Sequence, residues 1–334
     1  MTTPGSNAWL EQVTEDIIDP DLAIIDPHHH LWHHPGLLHY HVEELQADTG
    51  SGHNVVKTVF MECGSAYRPE GPDHLKPVGE TEFVVEQAKL SRQLGGAEIA
   101  GIVGHADLRL GNAVKEVLDA HMAAGDGLFR GIRHAGARVA SREGYSVFAG
   151  RAPKGLYADP GFIEGVRLLG QMGMTYDTWQ YHYQLSEFAD LARAAADTQM
   201  ILDHFSTPLG VGEFAGKQDE IFNVWQQAMA DLAKLPNVAL KIGGLAMPDN
   251  GFGWHTRATP PTSDEFALAQ APYYLHAIKC FGVERCMMES NFPVDRMSIS
   301  YHVLYNGLKK IVSDFSADEK HQLFYATAAR IYQV

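Results

Sequence analysis

Ile24-Ile25-Asp26-Pro27-His28-His29-His30-Leu31-Trp32 is an apolar run that ends in histidines near the start of the chain. Its β-branched head reads as a buried strand, and strand side chains alternate between faces. Asp26, His28 and His30 are therefore expected on one side. Two imidazoles spaced i, i+2 at the end of a buried strand can hold one metal ion or orient one polarised carbonyl. The alternative is a histidine-rich strand end whose rings only hydrogen-bond the next loop.

Beyond this run the same unit recurs: a short apolar, β-branched strand, then a stretch with helical periodicity. Strands are expected over 23–30, 55–63, 99–108, 129–137, 174–180, 199–205, 238–245 and 285–293. Helical stretches fall at 80–94, 113–124, 160–172, 186–198, 221–235 and 263–281, and 298–313 and 316–332 read as two helices closing the barrel. Such alternation implies a parallel sheet with crossover helices, and eight units can close as a (β/α)8 TIM barrel. A doubly wound open sheet competes, but no GxGxxG follows the first strand and polar groups end nearly every strand. Residues 31–54, 138–159, 206–220 and 246–263 read as long βα loops, placed to build and cover a pocket. The reading is one barrel domain over 21–334 behind an N-terminal arm, 1–20, with Trp9 as its anchor.

Composition narrows the function. At 334 residues and 45% hydrophobic content the chain can bury a large core. A net charge of −15 repels phosphates, against a nucleic-acid or anionic-membrane partner. Cys63, Cys280 and Cys286 have no CxxC spacing, so neither a disulfide framework nor a cysteine zinc site is expected. Without a signal-peptide layout or an apolar run long enough to span a bilayer, a soluble, cytoplasmic protein is the expectation. The expected partner is a small-molecule substrate, and a homo-oligomer is compatible with a barrel of this size.

In a barrel, polar residues at strand ends converge on one mouth. Strand two offers Glu62, with a buried structural carboxylate as its alternative. Strand four offers Arg133, whose donor fork matches a carboxylate, the alternative being a structural ion pair. Trp179 lies near the end of strand five and His182 follows it, and Trp32 follows strand one; these suit the wall of a pocket for a flat ligand, although ordinary packing explains any one of them equally well. Strand six closes on His204. Lys241 in strand seven can point inward or act as a counter-ion, beside paired glycines that permit close approach. Strand eight brings Glu289 and Asn291 on one face, with Asp295 beyond them.

The ordered set Asp26-Pro27-His28-His29-His30-Leu31-Trp32, Arg130-Gly131-Ile132-Arg133, Leu202-Asp203-His204 and Ser290-Asn291-Phe292-Pro293 resembles the amidohydrolase superfamily, in the branch that holds 2-pyrone-4,6-dicarboxylate and sugar-acid lactonases. The resemblance implies a barrel hydrolase that opens a lactone or related cyclic ester, carboxylated in this reading, by water attack on a carbonyl. His28, His30 and His204 would polarise that carbonyl, either directly or as ligands of one divalent metal, zinc or manganese. Arg133 would bind a substrate carboxylate. Related barrels also imply a metal-dependent non-oxidative decarboxylase, and a non-catalytic ligand-binding barrel is a third reading. Where the family usually has an aspartate as general base, this chain has Asn291, an amide without useful basicity. Glu289, Asp295 or His182 is expected to replace it.

Overall fold

The structure, a computed structural model, describes residues 3–33, 39–141, 143–146 and 149–334. Eight strands pair in parallel, each with its successor: β1 (Ile24–His29), β2 (Val55–Met61), β3 (Glu98–Gly104), β4 (Phe129–Arg133), β5 (Thr175–Thr178), β6 (Met200–Leu202), β7 (Val238–Ile242) and β8 (Cys286–Met288). Two backbone bonds shut the ring between its first and last strands. His30 N–H donates to Phe292 O at 2.7 Å, and Asn291 N–H donates to His28 O at 3.0 Å. The result is the (β/α)8 barrel expected from the alternation.

The strands stop one to five residues earlier than the pattern suggests. Parallel pairing ends where the chain must turn at the mouth, so His30, Asp203, His204 and Asn291 lie in turns rather than in the ladder. The helices are α1 (Asn7–Leu10), α2 (Val42–Thr49), α3 (Val78–Leu94), α4 (Lys115–Ala124), α5 (Pro160–Gln171), α6 (Leu185–Ala194), α7 (Gln218–Leu232), α8 (Ser263–Phe281), α9 (Tyr301–Ile311), α10 (Ala317–His321) and α11 (Thr327–Tyr332). Helix α2 corrects the expectation of an uninterrupted loop over 31–54. Its cap is His41 rather than Ser, Thr, Asp or Asn, with the Glu44 carboxylate accepting from His41 N–H at 2.9 Å.

The chain's last stretch also departs from one continuous helix, being α10, a π-turn over Gln322–Ala326, and α11. It plugs the barrel. Ala328, Ile331 and Tyr332 pack among Ile25, Val59, Met61, Val103, Ile201, Ala239 and Met287 of the strands. Strand alternation sends these residues inward, and the plug covers apolar surface that would otherwise meet water.

The N-terminal arm is strapped to the outside. Trp9 is buried and donates from Nε1 to Arg257 O at 3.1 Å. Asn306 accepts from Ile18 N–H at 2.9 Å and donates to Asp16 O at 2.9 Å. Lys309 Nζ donates to Ile18 O and Asp19 O, both at 2.8 Å. Replacing Asn306→Leu strands a backbone donor and an acceptor, so stability should fall by roughly 1–3 kcal/mol. Denaturant unfolding and limited proteolysis check this, the first cut being expected within residues 11–19.

Candidate active site

The centre of the mouth is a cluster of buried imidazoles whose protons are fixed by their partners. Glu289 reaches two of them: its Oε2 lies 2.9 Å from His28 Nδ1 and its Oε1 lies 2.7 Å from His204 Nδ1. A carboxylate only accepts, so His204 donates from Nδ1 to Glu289 Oε1, while Arg133 Nη1, which only donates, faces His28 Nε2 and leaves the His28 proton on Nδ1. His30 Nδ1 lies 2.8 Å from Met61 O, a carbonyl, and must likewise donate. Burial, reinforced for His28 by the nearby Lys241 charge and for His30 by Arg133, drives both rings well below the ordinary histidine range. Both are therefore neutral, with lone pairs on Nε2. These two Nε2 atoms face each other at 3.3 Å.

Around the imidazoles runs a chain of alternating charge. Arg133 donates from Nε to Glu62 Oε1 at 2.8 Å and from Nη2 to Glu62 O, and its Nη1 lies 3.3 Å from His28 Nε2 and 3.5 Å from Asp203 Oδ2. Burial works against the guanidinium charge, but Glu62 and Asp203 together hold its pKa above the ordinary range. Lys241 Nζ lies 3.3 Å from Asp203 Oδ1 and donates to Asp177 Oδ2 at 3.0 Å. Lys241 is fully buried and acts as a counter-ion. Four carboxylates (Glu62, Asp177, Asp203 and Glu289) thus face two cations, and when all are ionised two negative charges are left uncompensated.

Arg133, expected to bind a substrate carboxylate, has both Nε and Nη2 engaged by Glu62 of the same wall. Asp26 also leaves the group expected from strand parity. A register shift between Asp26 and His29 turns it toward β8 and α9, where it accepts from Ser290 N–H and Tyr301 Oη–H, both at 3.0 Å. Burial raises its pKa to about 6.

Asn291 donates from Nδ2 to Asp295 Oδ1 at 2.8 Å, and Ala246 N–H donates to Oδ2 at 3.0 Å. Burial, partly offset by His204, lifts the Asp295 pKa to about 7. His182 lies apart from the imidazole cluster: its Nδ1 accepts from Leu209 N–H at 3.3 Å and its ring packs edge-on to Phe214. Trp179 donates from Nε1 to Thr207 Oγ1 at 2.8 Å on the rim. Trp32 pairs through its backbone with Tyr40.

Two backbone features place His204. It opens a run of four non-glycine residues with positive φ (His204 54°, Phe205 55°, Ser206 60° and Thr207 34°), a conformation that disfavours L-residues and collects at functional sites. Trp225 Nε1 donating to Phe205 O at 2.7 Å, with the Trp179 bond to Thr207, holds the turn. Opposite lies Gly244, at φ +71°, where a Cβ would stand 2.3 Å from His204 Nδ1. At Gly243 a Cβ would stand 2.4 Å from Glu289 Cγ. The paired glycines make the room in which the histidine and the carboxylate meet.

The amidohydrolase family profile matches residues 25–334. The chain belongs to the amidohydrolase family. It is 34% identical to the uncharacterized protein y4mH of Sinorhizobium fredii, over 94% of this chain and 99% of that one. To the L-fucono-1,5-lactonase of Burkholderia multivorans it is 28% identical, over 76% of each chain. In fold it resembles an amidohydrolase from Burkholderia multivorans solved with bound zinc (TM-score 0.73, 22% identity, 93% of this chain and 99% of that one). In this amidohydrolase chain, His28, His204 and Glu289 offer ligand atoms within 4.8 Å of one another, the spacing of a metal-holding group. Asp203, from the Leu202-Asp203-His204 motif, and Lys241, expected inward or as a counter-ion, complete the site with Asp177, whose one sequence signal is an acidic residue at an inward position of strand five.

Two variants test these constraints. Gly244→Ala should destabilise the fold by more than the roughly 1 kcal/mol set by a positive φ alone. Gly127→Ala, at φ +77° with nothing within 4 Å, is the control that carries only the backbone cost. Asp295 has a folded pKa above its unfolded value, so its stabilising contribution is complete below about pH 4 and is lost as pH rises through about 7. Asp295→Asn should flatten the pH dependence of unfolding free energy in that window, a term of up to ~4 kcal/mol.

Proposed function

We propose that the protein hydrolyses a small lactone by adding water to its carbonyl. The observation that carries this reading is the pair of His28 and His30 Nε2 lone pairs facing each other at 3.3 Å within a buried site of negative charge. Arg133 Nη1, 3.3 Å from His28 Nε2, is the donor that meets this pair in the structure. The edge of a tetrahedral zinc–imidazole site is about this long, given Zn–N distances of roughly 2.0–2.1 Å. The two uncompensated negative charges are what a divalent cation would neutralise. The residues thus fit a zinc-like ion, which His28 and His30 would hold through Nε2. Such an ion would supply Lewis acidity toward the carbonyl oxygen.

Water adds to the carbonyl carbon, the ring C–O bond breaks, and the proton that His204 takes from the water passes to the departing ring oxygen. His204 keeps its Nδ1 proton on Glu289, which leaves Nε2 as the basic nitrogen for the proton of the attacking water. This is the logic of a carboxylate-oriented histidine base, and it answers the loss of an acidic base at Asn291. Asn291, held by Asp295, orients the water through its amide oxygen. Glu62, the least buried of the four carboxylates, accepts from substrate hydroxyls at the pocket wall.

Because Arg133 is engaged by Glu62 and Asp203, a hydroxylated, uncharged lactone suits the pocket better than a carboxylated one. The likeness to an L-fucono-1,5-lactonase supports the same choice.

The test is a pH-stat assay on aldonolactones, beginning with L-fucono-1,5-lactone, alongside metal content per chain by elemental mass spectrometry. Proton release with near-stoichiometric metal is expected. His28→Ala and His204→Ala should each lose about 10²–10⁴-fold in kcat. Carbon dioxide evolution from a carboxylated ring would instead indicate a decarboxylase. Tight lactone binding without turnover at any pH would indicate a barrel that only binds.

A further inference from the structure

Tyr332 is the third residue from the end of the chain, yet its hydroxyl reaches the charge chain at the catalytic centre. It stands on the helix that plugs the barrel from the face opposite the mouth and is fully buried. Its Oη donates to Asp177 Oδ2, the same oxygen that receives Lys241 Nζ at 3.0 Å. Asp177 Oδ1 is held by Thr175 Oγ1 at 2.9 Å, so the carboxylate is fixed on both sides. Lys241 lies 5.3 Å above the Tyr332 ring, 3.3 Å from Asp203 and 3.5 Å from His28 Nδ1. A chain of charged contacts therefore runs from the C-terminal helix to the imidazole that faces the mouth: Tyr332, Asp177, Lys241, then Asp203, whose Oδ1 lies 3.7 Å from His28 Nδ1.

We propose that Tyr332 is a positioning residue for His28, acting through Asp177 and Lys241. Lys241 is shared between Asp177 below and Asp203 above. The Tyr332 hydroxyl satisfies part of the negative charge on Asp177 and limits how far that carboxylate draws the ammonium downward. Without it, Asp177 pulls Lys241 toward the floor, Asp203 keeps only Arg133 as its cation and shifts toward it, and the His28 ring beside Asp203 loses its position against Glu289. The plug is in this way part of the active site's support, not only a hydrophobic stopper.

The proposal rests on the role given to His28 above, and the experiment separates the two. Tyr332→Phe removes the hydroxyl and keeps the ring in its apolar setting, while Ile331→Val trims the same plug without touching the polar path. The first measurement is the imidazole ¹⁵N spectrum of the metal-free protein, which needs neither substrate nor metal. Tyr332→Phe should shift the His28 Nδ1 and Nε2 resonances, and Ile331→Val should leave them in place. The second is lactone hydrolysis, where Tyr332→Phe should lower kcat about threefold to tenfold with KM unchanged, and Ile331→Val should leave kcat unchanged. Unmoved His28 resonances in Tyr332→Phe would overturn the proposal, as would equal effects of the two variants. Shifted resonances in a protein that turns over no lactone would uphold the positioning role and refute the hydrolase reading instead.

Discussion

One carboxylate sets the chemistry of the site. Glu289 faces two imidazoles at once, bonding His204 Nδ1 at 2.7 Å and lying 2.9 Å from His28 Nδ1. Burial keeps His28 and His30 neutral, so a proton on Nδ1 leaves each an Nε2 lone pair, and His204 donates from Nδ1 to Glu289. Neutral rings in defined tautomers are what a metal ion, a carbonyl carbon or a water proton can use. The rest of the mouth serves this arrangement. Gly243 and Gly244 clear its volume, the left-handed turn after β6 aims His204, and the backbone closure between β1 and β8 brings Glu289 beside His28.

The buried charges form a second level. A bare guanidinium or ammonium in the middle of a barrel would be costly, and here each is matched by more than one carboxylate. Arg133 is shared by Glu62 and Asp203, and Lys241 by Asp177 and Asp203. Asp203 joins the two. This explains why burial, which alone would lower the pKa of Arg133 and Lys241, is outweighed at both. It also explains why Arg133, so well suited to a substrate carboxylate by its chemistry, is occupied by the protein itself.

Much of this was legible beforehand, for identifiable reasons. The eight strands are short apolar runs bounded by polar residues, and their recurrence is a one-dimensional pattern. His28 and His30 sit at a two-residue spacing that any strand would display on one face. Helix α2 carries no conventional cap signal, its cap being a histidine, and apolar residues such as Phe205 recur past the strand ends where the backbone has already turned. Asp26 was misplaced by a register shift, to which simple alternation is blind.

The sequence by itself determined the barrel, the family, and the presence of histidines at the first and sixth strand ends, because these follow from local periodicity and from motifs a few residues long. Tertiary structure alone decided the pairings: Glu289 with His28 and His204, Arg133 with Glu62, and Tyr332 with Asp177 across 155 positions of the chain. A carboxylate's role as base, ligand or orienting group depends on which atom lies within about 3 Å of it. Only closure of the ring, which brings residues from opposite ends of the chain into contact, fixes that neighbour.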